Sequence, residues 1–380
     1  MRKALAPLAI YIHWPFCRSK CPYCDFNSHV RERIAPEAWT TALLGDLDRQ
    51  RELAPEHEVV SIFFGGGTPS LMPPDTAAAL IERVKRHWPT RPDLEITLEA
   101  NPNSAESKNF AGFAAAGVNR LSLGVQALDG KALKFLGRAH NRKEALAAIK
   151  LSQQLFPRTS FDLIYARPGQ SLAAWRDELD EALSLAGEHL SLYQLTIEPG
   201  TAFHTAARNG TLAPLDDETA AAMFELTQER LAAAGMPAYE ISNHAKLGTA
   251  CRHNLVYWRY QDYLGIGPGA HGRVTRDGVK QATRHRRLPE AWLKQPEFEE
   301  TTPIGRDAQV EEMVMMGLRL VEGIPRARLE TLAECSIDAL FGISLHRLID
   351  GGFVTLDKRR FAATEAGRQR LNAVLGALLG

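Results

Sequence analysis

The sequence predicts an α/β protein: a full or partial (βα) barrel followed by a helical, winged-helix-like domain. Three observations carry this expectation. Short β-rich runs alternate with helical stretches over roughly the first 270 residues. At least six such units can be counted, which favours a barrel over a flat doubly wound sheet. After about residue 300 the spacing becomes helical and ends in a hairpin-like pair.

The elements follow in order. Leu8–His13 (LAIYIH) reads as the first strand, and the loop after it carries Cys17, Cys21 and Cys24. Glu37–Leu53 reads as an amphipathic helix, with Pro36 just before it and Leu43, Leu44 and Leu47 on one face. Val59–Phe64 (VVSIFF) is almost continuously apolar, as in a strand covered on both faces. A Gly-rich turn, a helix near Asp75–His87, a strand at Leu94–Glu99 and a helix near Ala105–Ala116 come next. Further strands are expected at Arg120–Gly124, Thr159–Tyr165 and His189–Ile197, with helical segments between them. This repeat implies parallel strands joined by right-handed crossovers. In a barrel the functional face is at the strand C-terminal ends, and Cys17, Gly66, Glu99, Gln126 and Asp162 all lie at or just after such ends. The expected barrel spans residues 1–300 and the second domain 301–380. In the second, Val310, Met313, Val314 and Leu318 have helical spacing. Gly352–Leu356 and Arg360–Ala362 form a small wing before a helix at Thr364–Leu379.

Composition excludes several classes. Forty-five Lys and Arg balance 45 Asp and Glu, and 45% hydrophobic with 24% charged residues suits a globular protein with a large core. The balance gives no drive toward nucleic acid or anionic membrane, and the wing has no concentration of basic residues. No nucleic-acid partner is expected. No apolar run approaches the ~20 residues of a membrane span. Met1-Arg2-Lys3 and the apolar stretch to Ile10 start like a signal peptide, but Pro7 and His13 interrupt it and no small-residue cleavage site follows. A cytoplasmic protein is expected.

Three of the five cysteines crowd into Cys17-x3-Cys21-x2-Cys24, too close together to staple distant segments. Thiolates are soft ligands that suit iron–sulfur clusters or zinc. In a [4Fe–4S] cubane, three cysteines leave one iron open, and the amine and carboxylate of a methionine-like cofactor can chelate it. The competing reading is structural zinc, with His29 completing a Cys3His site. Phe64-Gly65-Gly66-Gly67-Thr68-Pro69 follows a strand and lets backbone approach a ligand closely, although a plain tight turn has the same composition. It lacks the Gly-Lys-Ser/Thr ending of a nucleotide phosphate loop. Glu99 ends the next strand, where a carboxylate can accept from ribose hydroxyls, be solvated or cap a helix.

Taken together, Tyr11-Ile-His-Trp-Pro-Phe-Cys17-x3-Cys21-Pro-Tyr-Cys24-Asp-Phe-Asn-Ser, Gly-Gly-Gly-Thr-Pro-Ser and Glu99-Ala-Asn-Pro resemble the radical S-adenosylmethionine (SAM) superfamily. Within it the chain is similar to the oxygen-independent coproporphyrinogen III oxidase-like group, a likeness extended by Arg120-Leu-Ser-Leu-Gly-Val-Gln126, Leu136-Gly-Arg138 and Asp162-Leu-Ile-Tyr. The resemblance implies a barrel of radical SAM type with a [4Fe–4S] cluster on Cys17, Cys21 and Cys24, and favours the cluster over zinc. It implies that Tyr11 and Tyr23 line the SAM pocket, that Gly66, Gly67 and Thr68 contact the methionine end, and that Glu99 contacts the ribose. Gln126, Arg138, Asp162 and Thr196 match positions lining the deeper cofactor or substrate cavity, and the Gly265–His271 loop is expected on the adenosyl side.

Two departures from the decarboxylases of that group bear on activity. They carry a further cysteine two residues after the third, where this chain has Phe26, and a longer segment before the cluster loop. His253-Asn254-x-x-Tyr257-Trp258 is instead similar to the signature of the family's heme chaperone branch, which binds heme and hands it to heme-requiring proteins. On the residues alone, Cys251, His253 and Tyr257 are types that can ligate heme iron, and Cys251 and His253 can share a cavity if the segment is extended. They fit equally a structural role, with His253 and Asn254 satisfying backbone groups and Tyr257 and Trp258 in the core. The expected function is a heme chaperone with a [4Fe–4S] cluster, SAM and heme, and with His253 among the heme-contacting residues. Its partners would be heme-acceptor proteins, with room for peripheral contact with membrane-bound heme enzymes. The alternative is an oxygen-independent coproporphyrinogen III oxidase, whose 5′-deoxyadenosyl radical abstracts hydrogen from a propionate side chain.

Overall fold

The computed structural model describes residues 5–296 and 299–380. Met1-Arg2-Lys3 lies outside them, and the apolar stretch that follows runs into the strand Ala6–Trp14. That strand is buried on both faces, with Leu8, Ala9, Ile10 and Ile12 all inaccessible, which explains why its sequence is apolar rather than alternating.

Among the described residues eleven strands form one sheet. Its centre is parallel, in the spatial order Asp262–Ile266, Ala6–Trp14, His57–Gly66, Thr90–Ala100, Arg120–Gln126, Arg158–Tyr165 and His189–Gln194. Asn243–Ala245 extends one edge antiparallel. At the other edge, His271–Arg276, Val279–His285 and Glu299–Pro303 form an antiparallel meander. Among the described residues the two edge strands do not pair with each other, so the barrel is partial. The six strands expected from the sequence are present and parallel. Asp262–Ile266 was not foreseen; it is placed by pairing Leu8 with Asp262 through Ile12 with Ile266, across most of the chain.

Helices cover the sheet with some boundaries moved. The first runs Pro36–Gln50 and tightens into a 3-10 turn at Arg51–Leu53. The stretch expected near Ala105–Ala116 divides into Ser104–Ser107 and Phe110–Ala115. Its Glu106 is buried rather than solvated and accepts from Asn103 Nδ2 (2.6 Å), the Asn101 backbone N–H (3.0 Å) and Ser70. The sheet and its helices share one core from Leu8 to Trp292.

A second core joins Val310, Val314, Leu318, Leu345, Phe361 and Val374 with Tyr260. Its helices Arg306–Gly317, Arg326–Ala333 and Ile337–Asp350 surround a small antiparallel sheet of Ile324–Pro325, Arg360–Ala363 and Val354–Leu356. The barrel sheet itself reaches Pro303. The last helix is broken: Glu365–Gln369 and Leu371–Leu379 meet at Arg370, whose φ of −115° and ψ of 30° lie outside the helical region. This break lies over the barrel mouth.

Candidate functional site

The cysteine loop is anchored at its base before it exposes any sulfur. Phe16 is buried against Trp14 and Trp39, and Phe16–Cys17 pairs with His29–Val30 in a short parallel ladder. His13 Nε2 lies 2.9 Å from the Asn27 carbonyl, while Asn27 Nδ2 donates to the Pro268 (3.1 Å) and Arg287 (3.0 Å) carbonyls. The Gly265–His271 loop therefore braces the outside of the cysteine loop and does not line the cavity. On the other flank, Gly67 N–H donates to Trp14 O (2.7 Å) and Thr68 N–H to Phe16 O (2.8 Å). A Cβ at Gly67 would stand 2.7 Å from Phe16 O, so glycine is what permits this approach.

These elements surround a cavity of about 940 Å³. Cys17, Cys21, Cys24, Tyr23, Gly66, Gly67, Thr68, Glu99, Gln126, Arg138, Asp162 and Thr196 all line it. Tyr11 and His253 do not. Tyr11 lies deeper, its hydroxyl 3.0 Å from His13 Nδ1 and its ring stacked on Phe63.

The three thiols are free and half-buried. Thr68 Oγ1 donates to Cys17 Sγ (3.3 Å) and Arg138 Nη1 to Cys21 Sγ (3.3 Å). Burial pushes the Cys17 and Cys24 thiols up, and the Thr68 hydrogen bond at Cys17 opposes it. Arg138 also donates to Gly124 O (2.8 Å) and to Asn101 Oδ1. This donor set fits an iron–sulfur cluster: soft sulfurs from one loop, facing open space, two of them with donors that favour the thiolate. For the zinc alternative, the expected fourth ligand is engaged elsewhere, with His29 Nε2 3.1 Å from Asn27 Oδ1.

The cavity floor is acidic. Burial lifts Glu99 to about 8, the Asp162 charge adds to this, and a Gly66 backbone hydrogen bond opposes it. Burial likewise lifts Asp162 to about 6, against hydrogen bonds from Ser191 and Ser122. Gln126 is presented by an irregularity between Leu123 and Gln126 that leaves it at φ +68°, a left-handed conformation rare outside glycine. Its buried Oε1 has no hydrogen-bond partner, as expected of an acceptor kept for a ligand.

The segment Cys251–Trp258 corrects one sequence expectation. It is not extended: Arg252–Trp258 is helical, with Cys251 as its N-cap, so Cys251 and His253 do not share a face. His253 is buried, with Nδ1 3.1 Å from Ser61 Oγ and Nε2 2.8 Å from Tyr257 OH, and stacks on Phe63. Burial lowers its pKa to about 3. Cys251 Sγ donates to Glu95 Oε1 at 3.5 Å. Trp258 instead faces the second domain, with the Arg319 guanidinium 4.5 Å from its ring centroid.

Sequence reasoning missed the cavity residues Asn101, Tyr193, Arg319, Arg368 and Arg370. Asn101 stood inside a quoted motif, in Glu99-Ala-Asn-Pro. The three arginines belong to no motif, and only the second domain's position over the barrel brings them in.

Comparison with known proteins identifies the family and the fold. The Radical SAM superfamily model matches residues 11–182 and the HemN C-terminal domain model residues 304–370. The heme chaperone HemW of Escherichia coli K12 is 40% identical over 380 residues, covering 99% of each chain. The bovine mitochondrial radical S-adenosyl methionine domain-containing protein 1 is 38% identical over 384 residues, covering 98% of this chain and 87% of its own. The solved coproporphyrinogen III oxidase HemN of Escherichia coli shares the fold, with a TM-score of 0.80 over 98% of this chain and 90% of that one at 20% identity.

Proposed function

Since the chain belongs to the radical S-adenosylmethionine superfamily, in the branch that includes the HemW proteins, we propose that it is a heme chaperone that delivers heme to acceptor proteins. The family implies SAM and a [4Fe–4S] cluster. The observation that carries the reading is the meeting of three free thiols with Gly67, Thr68, Glu99, Gln126 and Arg138 in one cavity beneath the second domain. The relatives named heme chaperones, aligned over nearly the whole chain, support heme as the cargo.

When bound, the cluster and SAM supply one-electron chemistry that no side chain of the chain offers. The protein's own residues bind and orient. Cys17, Cys21 and Cys24 ligate the cluster, with Thr68 and Arg138 stabilising the charge on the first two sulfurs. The Gly66–Thr68 backbone receives the methionine end of SAM, and Glu99 takes a ribose hydroxyl as acceptor. Gln126 Oε1 gains the partner that it otherwise lacks. The second domain roofs the cavity through Arg368–Ala373.

The test is anaerobic reconstitution followed by separate heme-binding and decarboxylation assays. Heme should give a saturable shift of its Soret band, and coproporphyrinogen with SAM and a reductant should not be converted. Multiple turnovers of decarboxylated product would overturn the carrier reading in favour of a coproporphyrinogen III oxidase. Among the described residues no helix is long and apolar enough to cross a membrane.

A further inference from the structure

The roof of the cavity differs from its floor in charge. The floor presents the half-buried residues Glu99 and Asp162, and the roof presents Arg319, Arg368 and Arg370. Several arginines elsewhere in the protein are held in two-pronged ion pairs, which none of these three forms among the described residues. Arg142 forms a two-pronged pair with Glu181, Arg273 with Glu312 and Arg259 with Glu322. Among the described residues neither Arg368 nor Arg370 is ion-paired; Arg368 Nη1 donates to Ala363 O (2.9 Å) and Arg370 Nη1 to Gln369 Oε1 (2.9 Å). Arg319 stands 3.7 Å from Glu240 Oε2, and its buried Nε has no hydrogen-bond partner.

A guanidinium has five donors in a rigid fork that matches a carboxylate. Arg370 is exposed and Arg368 half-buried, so water serves their free donors, while the buried Arg319 Nε lacks a partner that an entering anion can supply. Trp258 fixes the direction of Arg319 by stacking beneath it, and the segment around the helix break at Arg370 places Arg368 and Arg370 in the cavity lining. Near neutral pH Asp162, lifted only to about 6, keeps negative charge on the floor while the roof is cationic, so a ligand with carboxylates along one edge settles with that edge toward the roof. The cavity lies near the top of the roughly 300–1,000 Å³ range of small-molecule sites, which leaves room for a large apolar body beside a nucleoside cofactor.

We propose that Arg319, Arg368 and Arg370 form a carboxylate clamp that binds the propionate edge of a tetrapyrrole and points its opposite, apolar edge into the barrel. The proposal rests on the heme-chaperone reading and adds the residues that select and orient the cargo. It makes the second domain part of the binding site rather than a cover alone.

The experiment titrates hemin and hemin dimethyl ester into the anaerobically reconstituted full chain, following the Soret band, with cluster absorption as the measure of intact fold. The ester keeps the macrocycle and iron but lacks the charges. Wild type should bind hemin about 10- to 100-fold more tightly than the ester, the worth of one or two charge-assisted hydrogen bonds. Arg368→Ala/Arg370→Ala should bring hemin most of the way down to the ester's affinity, Arg319 keeping the remainder, without changing the ester's own, and Arg368→Lys/Arg370→Lys should recover part of the preference. Equal affinity for hemin and ester in wild type, or an undiminished preference in the alanine variant, would overturn the clamp while leaving heme binding standing. Wild type that binds neither compound would overturn the heme-chaperone reading itself, and the clamp with it.

Discussion

Replacing Gly137 by alanine asks directly how the barrel holds the cysteine loop. Gly137 has φ +66°, and a Cβ there would stand 2.6 Å from Cδ of Pro22. Pro22 lies between Cys21 and Cys24, so whatever relieves that clash moves the sulfurs proposed to hold the cluster. Gly169 provides the control: its φ is +71°, and nothing lies within 4 Å of the added carbon. An L-residue in the left-handed region costs about 1–2 kcal/mol. Reduced freedom of the unfolded chain offsets about 0.4–1 kcal/mol of that. Gly169→Ala should therefore lose roughly 1 kcal/mol. Gly137→Ala adds an overpacking cost of about 1–3 kcal/mol, for a total of roughly 2–4 kcal/mol. Both losses are smaller than the ~5–15 kcal/mol stability of a typical domain, so both variants should fold. Urea denaturation measures the difference, and iron content after anaerobic reconstitution measures its consequence. Iron should be full in Gly169→Ala and reduced in Gly137→Ala. Equal stability losses with full iron in both would refute the reasoning.

Wild type should take up about four irons per chain; Cys17→Ala, Cys21→Ala and Cys24→Ala should each abolish the cluster absorption, whereas Cys251→Ala and Cys335→Ala should keep it. One retained zinc per chain and no iron would sink the cluster assignment. In cluster-free protein Glu99 is lifted from an ordinary 4.5 to about 8, so the native state keeps a proton that the unfolded chain has lost. This contribution is whole below about 4.5 and disappears as pH rises toward about 8. Glu99→Gln should reduce the fall in urea midpoint across that window, leaving the part due to Asp162, lifted to about 6; an unchanged pH profile would contradict the burial argument. His253→Ala removes a buried, doubly hydrogen-bonded ring and should cost about 2–4 kcal/mol. A displaced Soret band in the heme-loaded variant would assign iron to His253, and an undisplaced band would remove it from the ligands. Truncation after Pro303 should leave a barrel that still takes up iron but loses its cluster faster in air; a folded truncate without iron would show that the two domains are not separable.

The strand–helix alternation was legible because a parallel strand covered on both faces must be apolar throughout, as in VVSIFF, and because crossovers have a fixed hand. The cysteine spacing, the glycine run after Phe64 and the carboxylates at strand ends also showed themselves locally, since each lies at the mouth of its own strand. What the sequence could not reveal depends on groups distant in the chain. Asp262–Ile266 is a central strand only because it pairs with Ala6–Trp14. His253 carries the chemistry of an iron ligand in any linear reading; tertiary packing instead ties both its nitrogens to Ser61 and Tyr257. Arg319, Arg368 and Arg370 read as surface charge until the second domain is laid over the barrel. Residue type and spacing thus determined which groups can bind a cluster, and the folded chain alone decided which of them share a cavity, because burial and hydrogen bonding are set by neighbours far away in sequence.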